Sequence, residues 1–255
     1  MSETQTAAPE LTGKVFLYEK PELLMRDQHG ALGLSPADKP FRFAASVRAV
    51  PLNAREFAAA QRSFPIVFTS GEGAQPLAVV GIFEDANLFV DEKGQWERFA
   101  YIPSYLRRYP YAFAGDTSGD RMALVVDTAS DMVVENAQFP FFNGDDLSDF
   151  TQQAMEFCKT FEQERRGTAQ LMETLTSLDL LTQQEARFKP EGEDEERVVA
   201  TYVGVEEQRV RELPSEKIIE LRDNGMLPLI YAQLISMANW RILLERRGHR
   251  LNPSV

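Results

Sequence analysis

A single cysteine, Cys158, excludes an internal disulfide and a cluster of thiolate zinc ligands. The two histidines, His29 and His249, stand at opposite ends of the chain. No His-x-x-His, His-Glu-x-x-His or Cys-x-x-Cys spacing occurs, so no metal site is expected. The chain also lacks the phosphate-cradling glycine loops and the Gly-x-Ser-x-Gly elbow of a serine nucleophile. GEGAQP (71–76) lacks the lysine and following helix of a P-loop and reads as a turn. No cofactor is implied.

Positive charge is scarce as well. Lysine and arginine total 27 against 39 acids, a net charge of −12. A general phosphate-backbone binder needs a basic footprint, so nucleic acid is not an expected partner. The first residues, MSETQTAAPELTGKVF, show no basic start followed by an apolar run. The longest apolar-rich stretch, Met226 to Leu244, is interrupted by Pro228, Gln233, Ser236, Asn239 and Arg241. The expectation is a cytoplasmic protein without a membrane span.

What is present is a globular composition, 44% hydrophobic and 26% charged. Residues 1–13 read as a disordered polar tail. Strands are expected at VFLYEK (15–20), Phe41–Leu52, Phe64–Thr69, LAVVGIF (77–83), MALVVDT (122–128) and VVATYVGV. A hairpin is expected across Glu92-Lys93-Gly94. Asn53 followed by Glu56 has the form of a capping box and predicts a helix to about Arg62. After about Asn143 the pattern turns helical. Phe150, Ala154, Phe157 and Phe161, then Leu171, Leu175 and Leu178, recur at helical spacing, with a break at Gly167. Cys158 falls within this run and reads as a small buried hydrophobe. Thr182 with Glu185 repeats the capping-box pattern. SEKIIELRDNG ends at Gly225, and a last helix runs from about Leu227 to Arg247. Its apolar residues cover much of its circumference, which suits a core or a homo-oligomer interface. Strands first and helices after predict an α+β fold with an antiparallel or mixed sheet. The expected parts are 14–145, rich in strands, and 146–255, helical, with a core that the two could share.

The candidate site is the aromatic- and arginine-rich stretch Asn87–Phe113, at Trp96, Tyr101, Tyr105, Arg107, Arg108 and Tyr109. Arginine matches carboxylates with a planar fork and stacks on rings. Two readings stand beside each other. The pair Arg107-Arg108 ties an acidic neighbour at the edge of a tyrosine-rich core, or it recognises a carboxylate-bearing ligand or an acidic protein surface. Adjacent acids at Asp145-Asp146 and Glu84-Asp85 lie in loops and read as solvated.

FAASVRAVPLNAREFAAAQRSFPIVF (43–68), AVVGIFEDANLFVDEKGQW (78–96), YIPSYLRRYPYAF (101–113) and IYAQLISMANWRILLERR (230–247) resemble the SapC-like bacterial proteins. That family takes its name from a surface-array protein. Its members lie near genes for TonB-dependent receptors and tryptophan-halogenase-like flavoproteins. The resemblance implies an accessory role in nutrient uptake or modification and carries no catalytic residues with it. The expected function is therefore a non-enzymatic binding or accessory protein. The alternatives are an S-layer or envelope component and an enzyme of unrecognised type.

Overall fold

The computed structural model describes residues 15–71, 73–83, 86–115, 122–189 and 195–251. The strands in chain order are β1 (Pro21–Leu23), β2 (Leu32–Leu34), β3 (Ala49–Pro51), β4 (Ile66–Phe68), β5 (Pro76–Val79), β6 (Tyr111–Gly115), β7 (Met122–Asp127), β8 (Val133–Glu135), β9 (Phe139–Pro140), β10 (Phe142–Asn143), β11 (Asp146–Leu147), β12 (Leu181–Phe188) and β13 (Arg197–Val205). The helices are α1 (Arg26–His29), α2 (Phe57–Ala60), α3 (Ser104–Arg107), α4 (Asp149–Ser177), α5 (Glu207–Arg211), α6 (Ser215–Asp223), α7 (Leu227–Ser236) and α8 (Asn239–Leu251). The fold is α+β, and every ladder among the described residues is antiparallel.

The chain divides into two compact units, each drawn from two segments. One is Met1–Pro40 with Arg108–Thr160, the other Phe41–Arg107 with Phe161–Val255. The first unit holds the sheets β1-β7-β6 and β8-β2-β9 and the ribbon β10-β11. Its core gathers Leu34, Tyr111, Leu124, Val126, Phe141 and Cys158. Gly33 in β2 is obligatory there, because a Cβ would collide with the Phe139 carbonyl oxygen. VFLYEK is a turn rather than a strand. Leu17 takes φ +73°, and the N–H groups of Glu19 and Lys20 donate to the Asp127 carboxylate instead of to a ladder.

The second unit is built on the sheet β12-β13-β4-β5-β3. Asn53 and Glu56 do form a capping box, opening a 3-10 turn that leads into α2. Only Ala49–Pro51 of the expected strand 41–52 is extended, since Arg42–Ala44 forms a 3-10 turn. The Glu92-Lys93-Gly94 turn forms with Gly94 at φ +69°, but its flanks meet in a single bridge, Val90 to Trp96. Gly167 does not break α4; it is solvent-exposed, where a helix interior tolerates glycine at a cost of about 1 kcal/mol relative to alanine. Thr182 and Glu185 lie in β12. The eight-residue pairing with β13 overrides the local capping signal.

The expected last helix is two, α7 and α8, parted at Met237-Ala238. Leu227–Leu251 is long and apolar enough by composition to cross a bilayer. Its inward face is nevertheless polar at three points. β13 and β4 share one register pair, Val203 with Phe68, so the ladder between them is short of rungs. Gln233 supplies one. Its Nε2 donates to the Ile66 carbonyl at 3.0 Å and its Oε1 accepts from the Val205 N–H at 3.2 Å. Ser236 Oγ accepts the Ile66 N–H at 2.9 Å, and Asn239 Nδ2 donates to the carbonyls of Phe64 and Gln61. The opposite side of α7 exposes Tyr231 and Ile235.

Removing the Gln233 amide strands two buried backbone groups, each costing about 1–3 kcal/mol. Gln233→Ala is expected to lower unfolding free energy by roughly 2–4 kcal/mol in urea titration. Gln233→Glu should be worse, because a carboxylate would face the Ile66 carbonyl.

Candidate functional site

The six expected site residues divide between the units. Trp96, Tyr101, Tyr105 and Arg107 belong to the second, and Arg108 and Tyr109 to the first.

In the second unit Glu56 organises the neighbourhood. This carboxylate is buried, yet three donors reach it. Oε2 accepts the Asn53 N–H at 2.8 Å, closing the capping box. Oε1 accepts the Ser104 N–H at 2.7 Å and the Tyr101 hydroxyl at 3.0 Å. The acid that caps one helical turn thus also fixes the start of α3. The Tyr101 oxygen in turn accepts from Arg107 Nη2 at 3.2 Å. Arg107 Nε donates to the Ile102 carbonyl at 3.1 Å, and its guanidinium lies 5.7 Å from the centre of the Tyr101 ring. A buried carboxylate, a phenol and an exposed guanidinium therefore form one chain. Burial, first, and the adjacent Glu56 charge raise the Tyr101 hydroxyl to about 12. It stays a neutral donor across the physiological range.

Trp96 and Tyr105 serve the core. Trp96 is stacked on Phe89 at 5.7 Å, packed by Phe41 and Phe64, and donates to the Tyr101 carbonyl at 3.2 Å. Tyr105 is buried, edge-on to Phe161. Both rings are spent on packing, and Trp96 reaches Tyr101 only through its backbone carbonyl.

Sequence reasoning missed the most exposed aromatic of the stretch. Phe99 is 88% exposed, two residues before Tyr101, with the Arg98 guanidinium 5.3 Å from its ring centre. Burying a phenylalanine stabilises a fold by about 1.5–3 kcal/mol, a contribution that Phe99 does not make where it stands. The available signal was the Arg-Phe pair on the turn closed by the Ala100 N–H on Glu97.

In the first unit Arg108 is buried at 7% exposure. Tyr109 is half-buried. Its hydroxyl donates to Asp127 Oδ2 at 3.0 Å, and its ring meets Tyr18 edge-on at 5.2 Å. Asp127 is fully buried and also accepts the N–H groups of Glu19, Lys20 and Ala129. Burial, then the Asp127 charge, raise the Tyr109 hydroxyl above its ordinary value. Here the tyrosine ties chain segments together, and the arginine is buried beside it in sequence.

Among the described residues no group of three His, Cys, Asp or Glu could hold a metal ion. His29 is buried, with Nε2 3.1 Å from Glu22 Oε2.

Because the folded Tyr101 hydroxyl titrates at about 12 against 10.0 for the ordinary phenol, only the unfolded state loses the proton between those values. The contribution of Tyr101 to stability should be constant below pH 10 and be lost as pH rises from there through about 12. Tyr101→Phe should flatten part of that fall, read from melting curves against pH.

A family model described as SapC matches residues 24–243. No curated protein and no solved structure matches the chain.

Proposed function

Given that the chain belongs to the SapC family, we propose that it is a non-enzymatic binding or accessory protein that recognises a carboxylate-bearing partner through Arg107, with Tyr101 and the Arg98-Phe99 pair beside it. The observation that supports this reading is the contrast in exposure along one stretch. Trp96 and Tyr105 are buried, while Phe99, on its turn, and Arg107, braced at the end of α3, stand in solvent. The bracing matters because an arginine held on a phenol that a buried carboxylate fixes has surrendered part of its side-chain freedom before it binds. Ordering a long side chain at an interface otherwise costs about 0.5–1.5 kcal/mol. A guanidinium suits a carboxylate through charge-assisted bonds, and the exposed Phe99 ring in the same stretch of chain adds an apolar contact.

Among the described residues, the carboxylate that Arg107 reaches through the Tyr101 hydroxyl is Glu56, and it is already held by three structural donors. That favours binding over catalysis. A role beside nutrient-uptake or modification systems would fit an adaptor of this kind.

The test is co-purification from the native bacterium with wild type, Arg107→Ala and Phe99→Ala as baits. Each substitution lies on the surface and should leave the circular dichroism and melting temperature unchanged. A charge-assisted bond is worth about 1.5–3 kcal/mol, so Arg107→Ala should weaken capture about tenfold to hundredfold. Arg107→Lys should recover only part of it, having lost the fork. Arg108→Ala serves as the contrast: its effect should fall on stability. Equal capture by wild type and Arg107→Ala would remove the site from this region.

A further inference from the structure

The outer edge of the five-stranded sheet carries a register code of its own. β12 is the edge strand, and no strand among the described residues pairs with its outer side. The Glu206 N–H donates to the Leu180 carbonyl, while the Val205 N–H turns away to Gln233. These two bonds set the phase of the antiparallel ladder, in which bonded and non-bonded pairs alternate. Thr182, Gln184 and Ala186 therefore exchange bonds with β13. Leu181, Gln183, Glu185 and Arg187 direct their N–H and C=O groups outward. The register shift pairs Ala186 with Ala200 and Arg187 with Val198, so the extra residue, Val199, sits on β13 and leaves β12 unbroken.

We propose that β12 pairs with β12 of a second copy of this chain, antiparallel about a two-fold axis through Ala186, joining two five-stranded sheets into one. The charges select both the occupant and the register. A two-fold that opposes outward groups must set odd residues against odd. Centred on Glu185 it places glutamate on glutamate, and centred on Arg187 it places arginine on arginine. Centred on Gln184 it opposes Gln183 to Glu185. Only the axis at Ala186 sets Glu185 against Arg187 of the second copy, twice by symmetry. Opposite charges directly across a strand pair stabilise it and like charges oppose it. Ala186 then faces its own copy in the close, non-bonded position, about 4.5 Å between Cα atoms, where a small side chain fits. Glu185 and Arg187 already meet within one strand at 2.6 Å, so the pairing makes an alternating four-charge cluster on the exposed face. The same charges penalise slipped registers, as edge strands require.

The experiment is sedimentation equilibrium on the full chain across micromolar to high-micromolar concentrations. Wild type should show a monomer–dimer equilibrium. Glu185→Arg and Arg187→Glu, each alone, should raise the dimer dissociation constant by at least about tenfold. Both positions are solvent-exposed, and circular dichroism should confirm an unchanged fold. An equimolar mixture of the two single variants should dimerise again, since an edge with arginine at both positions then opposes an edge with glutamate at both. A wild type that stays monomeric at every concentration overturns the proposal. So does a dimer that survives both single reversals, or a mixture that fails to associate.

Discussion

One side-chain amide holds the second unit together across a gap in its own sheet. Gln233 stands where a peptide group of a neighbouring strand would be, donating to β4 and accepting from β13. Those strands otherwise touch at one register pair. Primary amides have the donor and acceptor geometry of a peptide, which is why glutamine, and no apolar residue, can fill the position. The order β12-β13-β4-β5-β3 depends on that substitution. So does the seating of α7, whose polar residues would be out of place in a hydrophobic core if the strand edges were not there to receive them.

The α+β class was legible because periodicity changes along the chain, and long periodic segments such as α4 carry strong signals. The Asn53–Glu56 box was legible too, because its partners are three residues apart. The same glutamate's second oxygen was not. Its donors, Tyr101 and Ser104, are 45 and 48 residues away. Thr182 and Glu185 show the converse. They carry the same local pattern as the true box, and a neighbouring strand with eight residues of pairing prevails over it. VFLYEK failed for a related reason, since Asp127 captures its backbone donors from more than a hundred residues away.

The candidate stretch was legible as a concentration of residue types, not as a surface. Density of aromatics singled it out, but composition cannot separate a ring that fills a core from one that faces water. Trp96 and Tyr105 did the former. Arg107 and Arg108, adjacent and identical in type, ended with opposite burial because a short helix terminates between them. Phe99 escaped notice because a lone phenylalanine in a charged turn resembles ordinary core material until its surroundings are known.

The two units are interleaved along the chain, first, second, first, second. On a ribosome this fixes an order of events. Ile66 leaves the exit tunnel far ahead of Gln233 and Ser236, which follow 167 and 170 residues later. At synthesis rates of about 5–20 residues per second, that strand waits roughly ten to thirty seconds for its partners. The first unit can close once residue 160 has emerged, whereas the second must hold a nascent, aromatic-rich segment open until translation is nearly finished. Holdase chaperones would find their longest-lived binding surface on this chain between residues 41 and 107.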